Sequence, residues 1–294
     1  MPDIMGKMDI AFPNLNVYLN DVPKNFSVFG FSIALYGVII GLGFFLALVL
    51  ISQIAKRTGQ NPDDYWDIAI YIIVFSIIGA RLYYVFFAWD YYKDNPISIF
   101  YIRNGGLAVY GGVIAGFLTA FIYTRVKKKN FLLMTDTIMY GLLLGQALGR
   151  WGNFTNREAF GEYTDGLFAM RLPVEMVRSN EITALMSEHM TSATNYIQVS
   201  PTFLYESMWN ACLLILLLIY LKYKKFDGEI VLLYLGGYGL GRAWIEGLRT
   251  DQLVMHSTGL PVSQMLAICL VVFAVVMEII VRVRLITASK KQND

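Results

Sequence analysis

The stretch NFSVFGFSIALYGVIIGLGFFLALVLISQIA, residues 25–55, carries no Asp, Glu, Lys or Arg between Lys24 and Lys56. At a rise of about 1.5 Å per residue, some twenty helical residues cross the roughly 30 Å of hydrocarbon in a bilayer. Further apolar runs follow, and together they place helices over about 29–55, 66–88, 107–124, 132–148, 203–221, 230–248 and 262–281. Pro201 and Pro261 stand just before two of these runs, where a proline near a helix start costs little. The reading is an all-α, polytopic membrane protein with about seven transmembrane helices, forming one integral membrane domain over residues 1–294.

Composition points the same way. Charged residues make up 16% of the chain and hydrophobic ones 56%, against about 25% charged in soluble domains. A soluble globule of this size has too little core to hide several charge-free runs of near twenty residues. The net charge of +2 gives no reason to invoke nucleic acid. Cys212 and Cys269 lie far apart inside apolar runs and read as buried thiols acting as small hydrophobes. The two histidines, His189 and His256, lie outside the apolar runs and are too few for a histidine-based metal centre, so neither metal nor cofactor is expected. The start of the chain, with Asp3, Asp9 and Asp21, lacks the form of a signal peptide, and the first apolar segment is expected to stay in the protein.

Basic residues set the expected orientation, because Lys and Arg are retained on the cytoplasmic side. The loops after the first, third, fifth and seventh apolar segments hold thirteen of the 24 Lys and Arg, among them Lys56, Arg125, Lys127, Lys224 and Arg282. The N-terminus and the polar 150–200 excursion between the fourth and fifth segments are therefore expected outside, and the C-terminus in the cytoplasm.

Charges inside or at the edge of a membrane segment are expensive and mark function by default. Five stand out: Arg81, Asp136, Arg150, Arg242 and Glu246. Arg242 and Glu246 are four apart, on one helical face, and form either a self-neutralising pair or part of a site; the glycines at 236, 237, 239 and 241 would let a helix or a headgroup approach. LGRWGNFTNREAFG, 148–161, gathers Arg150, Asn153, Asn156, Arg157 and Glu158 around aromatics. Guanidinium forks and amide donors of this kind suit a phosphate, although an interfacial helix cap with snorkelling arginines also fits. In NGGLAVYGGVIAG, 104–116, Gly112 and Gly116 have the spacing of a helix-contact face, while Gly111 and Gly112 beside Tyr110 would leave room for a headgroup or a thiol.

These segments, joined by SPTFLYES at 200–207 and YGLGRAWIEGLRTDQL at 238–253, resemble over nearly the whole chain the bacterial prolipoprotein diacylglyceryl transferases. The resemblance implies transfer of the sn-1,2-diacylglyceryl group from phosphatidylglycerol to the lipobox cysteine of a preprolipoprotein signal peptide. The products would be a thioether and glycerol 1-phosphate, made in the cell membrane without a cofactor. It also implies that the family's essential arginine and asparagine are Arg150 and Asn153, its signature glutamate Glu158, and its late tyrosine, arginine and glutamate Tyr238, Arg242 and Glu246. Two positions depart from the family pattern: Tyr110 and Ser200 stand where many members have histidine. Tyr110 is then the candidate for activating the acceptor thiol. A transporter is the rival reading, but the polar motifs gather toward one side of the membrane and no matching pair of broken segments is present.

The orientation is open to direct test. A reporter fused after Asn293 is expected to be active only in its cytoplasmic form; activity of an extracytoplasmic reporter at that position overturns the assignment.

Overall fold

The computed structural model describes residues 4–102, 105–190, 194–255 and 259–293. His256 therefore lies outside the described residues. Seven long helices carry the chain: α1 (Leu35–Arg57), α2 (Asp63–Phe87), α4 (Val109–Val126), α5 (Phe131–Asn156), α7 (Thr202–Tyr220), α8 (Glu229–Glu246) and α9 (Val262–Asn293). Two short helices, α3 (Trp89–Tyr92) and α6 (Ala184–Glu188), lie in the connections. Among the described residues, six helices are long and apolar enough to cross a membrane. The seventh apolar run, α8, falls short because Glu229, Arg242 and Glu246 interrupt it. The protein is a mostly helical, polytopic membrane protein.

Strands were absent from the sequence reading and, among the described residues, are present in six short pieces. β3 (Asn25–Val28) and β4 (Phe31–Ala34) form a hairpin where the first helix was expected to begin near residue 29, so α1 starts at Leu35. The cause is local. Phe26 and Val28, then Phe31 and Ile33, alternate with serines at period two, and Phe29 and Gly30 both take positive φ, 50° and 81°, as a two-residue hairpin turn demands. A second sheet, ordered β2-β1-β5-β6, joins β1 (Ile10–Phe12) and β2 (Val17–Leu19) to β5 (Met170–Pro173) and β6 (Tyr196–Val199). The 150–200 excursion is thus built as a small β-layer, with α6 inside the stretch 181–190 that reads as a surface helix.

The chain divides into two compact units, residues 48–138 and residues 1–47 with 139–294. In the first, α2 packs on α4 through small residues: a Cβ on Gly111 would come within 2.4 Å of the Gly79 carbonyl oxygen, and one on Gly116 within 2.9 Å of Ser76 Oγ. A core of Leu48, Ile51, Tyr65, Ile68, Tyr123 and Met134 fills one end. Asp136 is buried in this unit.

In the second unit, Phe154 and Phe160 from the 148–161 motif are anchored in the core of the β-layer, beside Ile10, Leu172, Ile197 and Phe203. Helices α7, α8 and α9 are tied at one end by Glu229. This fully buried carboxylate accepts from the Tyr220 hydroxyl at 2.8 Å and from Arg282 at 2.6 Å. A charge so buried persists only when paired. Cys212 and Cys269 are exposed, contrary to the expectation of buried thiols. They lie on α7 and α9, where the outer face of a membrane helix is as apolar as its inner one and a small hydrophobe suits either.

Candidate active site

The 148–161 motif is read off the last turns of α5 and the bend that follows it. Arg150, Asn153 and Asn156 are helical, and Arg157 and Ala159 adopt left-handed φ of 56° and 57°. The bend sends the chain back through residues 158–162, a strip whose Gly161 and Glu162 pair on both sides. Gly161 N donates to Ser200 O at 2.9 Å, Ser200 N to Glu162 O at 3.0 Å, and Glu162 N to Leu248 O at 3.3 Å. Gly161 is required here for space, since a Cβ would sit 2.6 Å from the Leu248 carbonyl oxygen and 3.0 Å from Ser200 Cβ. Three stretches far apart in sequence are thereby brought to one place.

Glu206, on the first turns of α7 and almost wholly buried at 4% exposure, is the meeting point. Its carboxylate takes Arg150 Nη2 at 2.5 Å, Arg242 Nη1 at 3.0 Å and Arg249 Nη1 at 3.6 Å. Arg242 also pairs with Glu246, and Arg249 is held by Asp251 in a two-point contact at 2.8 and 2.7 Å. Burial alone would raise the Asp251 pKa, but the hydrogen bonds and charge of Arg249 outweigh it and hold the carboxyl below its usual range. Packing fixes the geometry. Trp209 lies on the α8 backbone at Gly241, where a Cβ would meet its ring at 2.3 Å, and donates to Gly237 O at 2.8 Å. Trp151 donates to Ser207 Oγ at 3.2 Å, and that hydroxyl donates to Ala147 O at 2.9 Å.

Beside this cluster Glu158 gathers amides: Asn153 donates to it at 3.0 Å, Asn156 at 3.3 Å, and Arg178 approaches at 3.7 Å. Glu158 thus orients the two asparagines, whereas Glu246 orients Arg242. Tyr238 stacks on Tyr234, with centroids 5.5 Å apart, one turn before Arg242. Sequence reasoning did not single out Glu206, Arg249 or Asp251, although all three fall inside the motifs 200–207 and 238–253.

A match along these motifs extends to whole relatives. A family model described as prolipoprotein diacylglyceryl transferase matches residues 23–280. The chain belongs to that family. It is 42% identical over 230 residues to the phosphatidylglycerol–prolipoprotein diacylglyceryl transferase of Clostridioides difficile, covering 78% of this chain and 84% of that one. The protein of the same name from Finegoldia magna is 38% identical over 268 residues, covering 90% and 98% of the two chains. That from Enterococcus faecalis is 41% identical over 259 residues, covering 87% and 89%.

The remaining residues singled out in the sequence lie elsewhere. Tyr110, Gly111 and Gly112 belong to the unit of residues 48–138, at the start of α4. Tyr110 is half exposed. Gly111 and Gly112 face α2, where a Cβ would lie 2.3 Å from Tyr83 Cβ and 3.4 Å from Ser76 O, so helix packing occupies the space that a headgroup was expected to use. Arg81, in the same unit, donates to the carbonyls of Ile99 (2.7 Å), Ser98 (2.8 Å), Gly105 (2.8 Å) and Gly106 (2.9 Å) and lies over the Tyr92 ring. It clamps the loop leading into α4. Arg157, buried in the other unit, likewise binds carbonyls, those of Thr155 at 2.8 Å and Val22 at 2.6 Å.

The geometry ranks three carboxylates. Glu206→Gln removes one charge from three arginines, and breaking a buried ion pair costs about 3–5 kcal/mol. It is expected to lower extracted, folded protein more than Glu246→Gln or Glu158→Gln do. Equal thermal stability of the three variants in detergent would refute the central place of Glu206.

Proposed function

We propose that this chain transfers the sn-1,2-diacylglyceryl group of phosphatidylglycerol to the lipobox cysteine thiol of a preprolipoprotein, in the manner that the names of its relatives describe. The thiolate sulfur forms a bond to the glyceryl carbon, the carbon–oxygen bond to phosphate breaks, and glycerol 1-phosphate leaves with the electron pair. The exchange is redox-neutral. The observation that carries the reading is the convergence of Arg150, Arg242 and Arg249 on Glu206. A phosphate monoester leaving group gains negative charge as the bond breaks, and fixed cations in a water-poor place stabilise it far better than water does.

Arg150 and Arg242 supply these cations in our reading. Each guanidinium has five N–H donors, so a contact through one nitrogen to Glu206 leaves donors for a phosphate oxygen. Asn153 and Asn156, oriented by Glu158, offer amide donors, and Tyr238 completes the donor-binding side. We place the reaction at the outer leaflet of the bacterial cytoplasmic membrane, on the side carrying the 150–200 β-layer, with the C-terminus in the cytoplasm and the chain acting as one membrane domain.

The acceptor thiol has an unperturbed pKa of about 8.5 and is mostly protonated at neutral pH. For its activation the proposal turns to Tyr110, on the strength of the sequence alone: it occupies the position that is histidine in many members of the family.

Two substitutions test these roles, in detergent, with purified protein, phosphatidylglycerol and a synthetic lipobox peptide, followed by peptide mass shift and glycerol phosphate release. Arg150→Gln is expected to abolish turnover in a protein that still extracts normally, with Arg150→Lys restoring only part, since lysine lacks the planar fork. Near-normal turnover of folded Arg150→Gln removes Arg150 from the mechanism. Tyr110→Phe is expected to lower the maximal rate by about ten- to a hundredfold, roughly 1.4 to 2.7 kcal/mol of transition-state stabilisation, and Tyr110→His to retain more. Full activity of Tyr110→Phe, with unchanged pH–rate profiles for Tyr110→His, limits that residue to packing.

A further inference from the structure

A groove of about 360 Å³ runs between α2 and α4, within the unit of residues 48–138. Tyr71 and Phe75 form one wall, Thr119, Ile122 and Val126 the other, and Lys127 the rim. It lies toward the far end of α4 from Tyr110, its lining beginning about 14 Å along the helix at Thr119 and reaching about 25 Å at Lys127, at about 1.5 Å per residue. This end of the unit plays no part in the proposed chemistry.

Two polar features distinguish it from an ordinary lipid-facing crease. Tyr123, 7% exposed, lines the groove, and its hydroxyl has no hydrogen-bond partner among the described residues. A buried hydroxyl without a partner is costly, and a ligand oxygen removes the cost. Lys127 makes no ion pair among the described residues; its ammonium lies 5.9 Å from the Tyr123 ring centroid. Of its neighbours, Lys129 pairs with Asp64 at 2.6 Å and Arg125 lies over the Phe121 ring at 5.0 Å, whereas Lys128 lies outside the groove. Asp63, Asp64 and Asp67 at the start of α2, with the buried Asp136, are acidic groups of this end, set against Arg125, Lys127, Lys128 and Lys129.

We infer that this groove holds one anionic phospholipid of the surrounding bilayer, with an acyl chain along Phe75, Ile122 and Val126, the phosphodiester at Lys127, and the Tyr123 hydroxyl donating to a lipid oxygen. Charge complementarity selects the occupant. Apolar walls accept the chain of any lipid, but an ammonium at the rim with no ion pair among the described residues, beside a run of further basic residues, favours a negative headgroup. The lipid is bound and not consumed, and the inference stands apart from the transferase reading.

Native mass spectrometry of the purified full-length protein, without acceptor peptide, tests it with phosphatidylserine and phosphatidylcholine as probes. The unmodified protein is expected to retain one phosphatidylserine in preference to phosphatidylcholine. Lys127→Glu is expected to weaken that retention at least about tenfold and Tyr123→Phe severalfold, while Lys128→Glu, the same charge change just outside the groove, leaves it intact. Transferase activity of Lys127→Glu in detergent is expected to remain normal. Equal retention of both lipids, or equal losses in Lys127→Glu and Lys128→Glu, overturns the site in favour of a diffuse basic surface. Should Lys127→Glu fail to fold, Tyr123→Phe decides alone, since it keeps the ring and removes only the hydroxyl; unchanged retention there refutes the inference.

Discussion

Three guanidiniums cannot be gathered in a poorly solvated place without a negative charge among them. At about 4 Å, two like charges repel by roughly 4 kcal/mol at an effective dielectric near 20, and by about a quarter of that in water. Glu206 meets this constraint by touching Arg150, Arg242 and Arg249 at once. Glu246 and Asp251 each hold one of the outer arginines in addition, so three positive charges face three negative ones. The balance lets the cluster form where a bare cationic pocket would repel itself.

Backbone geometry makes that meeting possible. The strip 158–162 is hydrogen-bonded to Ser200 on one side and Leu248 on the other, so α5, α7 and α8 are registered against one another before any side chain is considered. Gly161 is where the three approach most closely. The same strip carries Glu158, which orders Asn153 and Asn156. Folding of the β-layer and assembly of the charged cluster therefore share contacts, and substitutions in the strip are bound to affect both.

The membrane helices were legible because freedom from charge over twenty residues has few other physical explanations, and their starts agree at Pro201 and Pro261, whereas α5 and α9 run on to Asn156 and Asn293, past the ends expected at 148 and 281, because a helix does not stop where its apolar run does. The N-terminal hairpin was not. Its strands are as free of charge as the apolar run that follows, and the serine alternation and the Phe29–Gly30 turn distinguish them. β5 and β6 were hidden in a stretch whose polarity suggested irregular structure, because each is only four residues long, β5 pairs with the distant β1, and β6 joins the sheet only through β5. In the charged cluster, the Arg242–Glu246 contact followed from helical spacing, whereas Glu206 reaches its partners across 36 and more positions in sequence, a distance no periodicity reveals.

The arginines show why residue type alone stops short of a role. Arg81 and Arg150 both interrupt apolar helices, and in sequence they invite the same hypothesis. Their partners separate them. Arg81 and Arg157 are spent on backbone carbonyls, dipoles that are part of the fold and cannot be exchanged without unfolding a loop. Arg150 and Arg242 are paired to a carboxylate, one anion that another of similar geometry is able to replace or share. A guanidinium held by carbonyls builds structure; one held by a carboxylate keeps the capacity to bind a phosphate. That difference sets Arg150 and Arg242, which face carboxylates, apart from Arg81, which holds the loop before α4 in place.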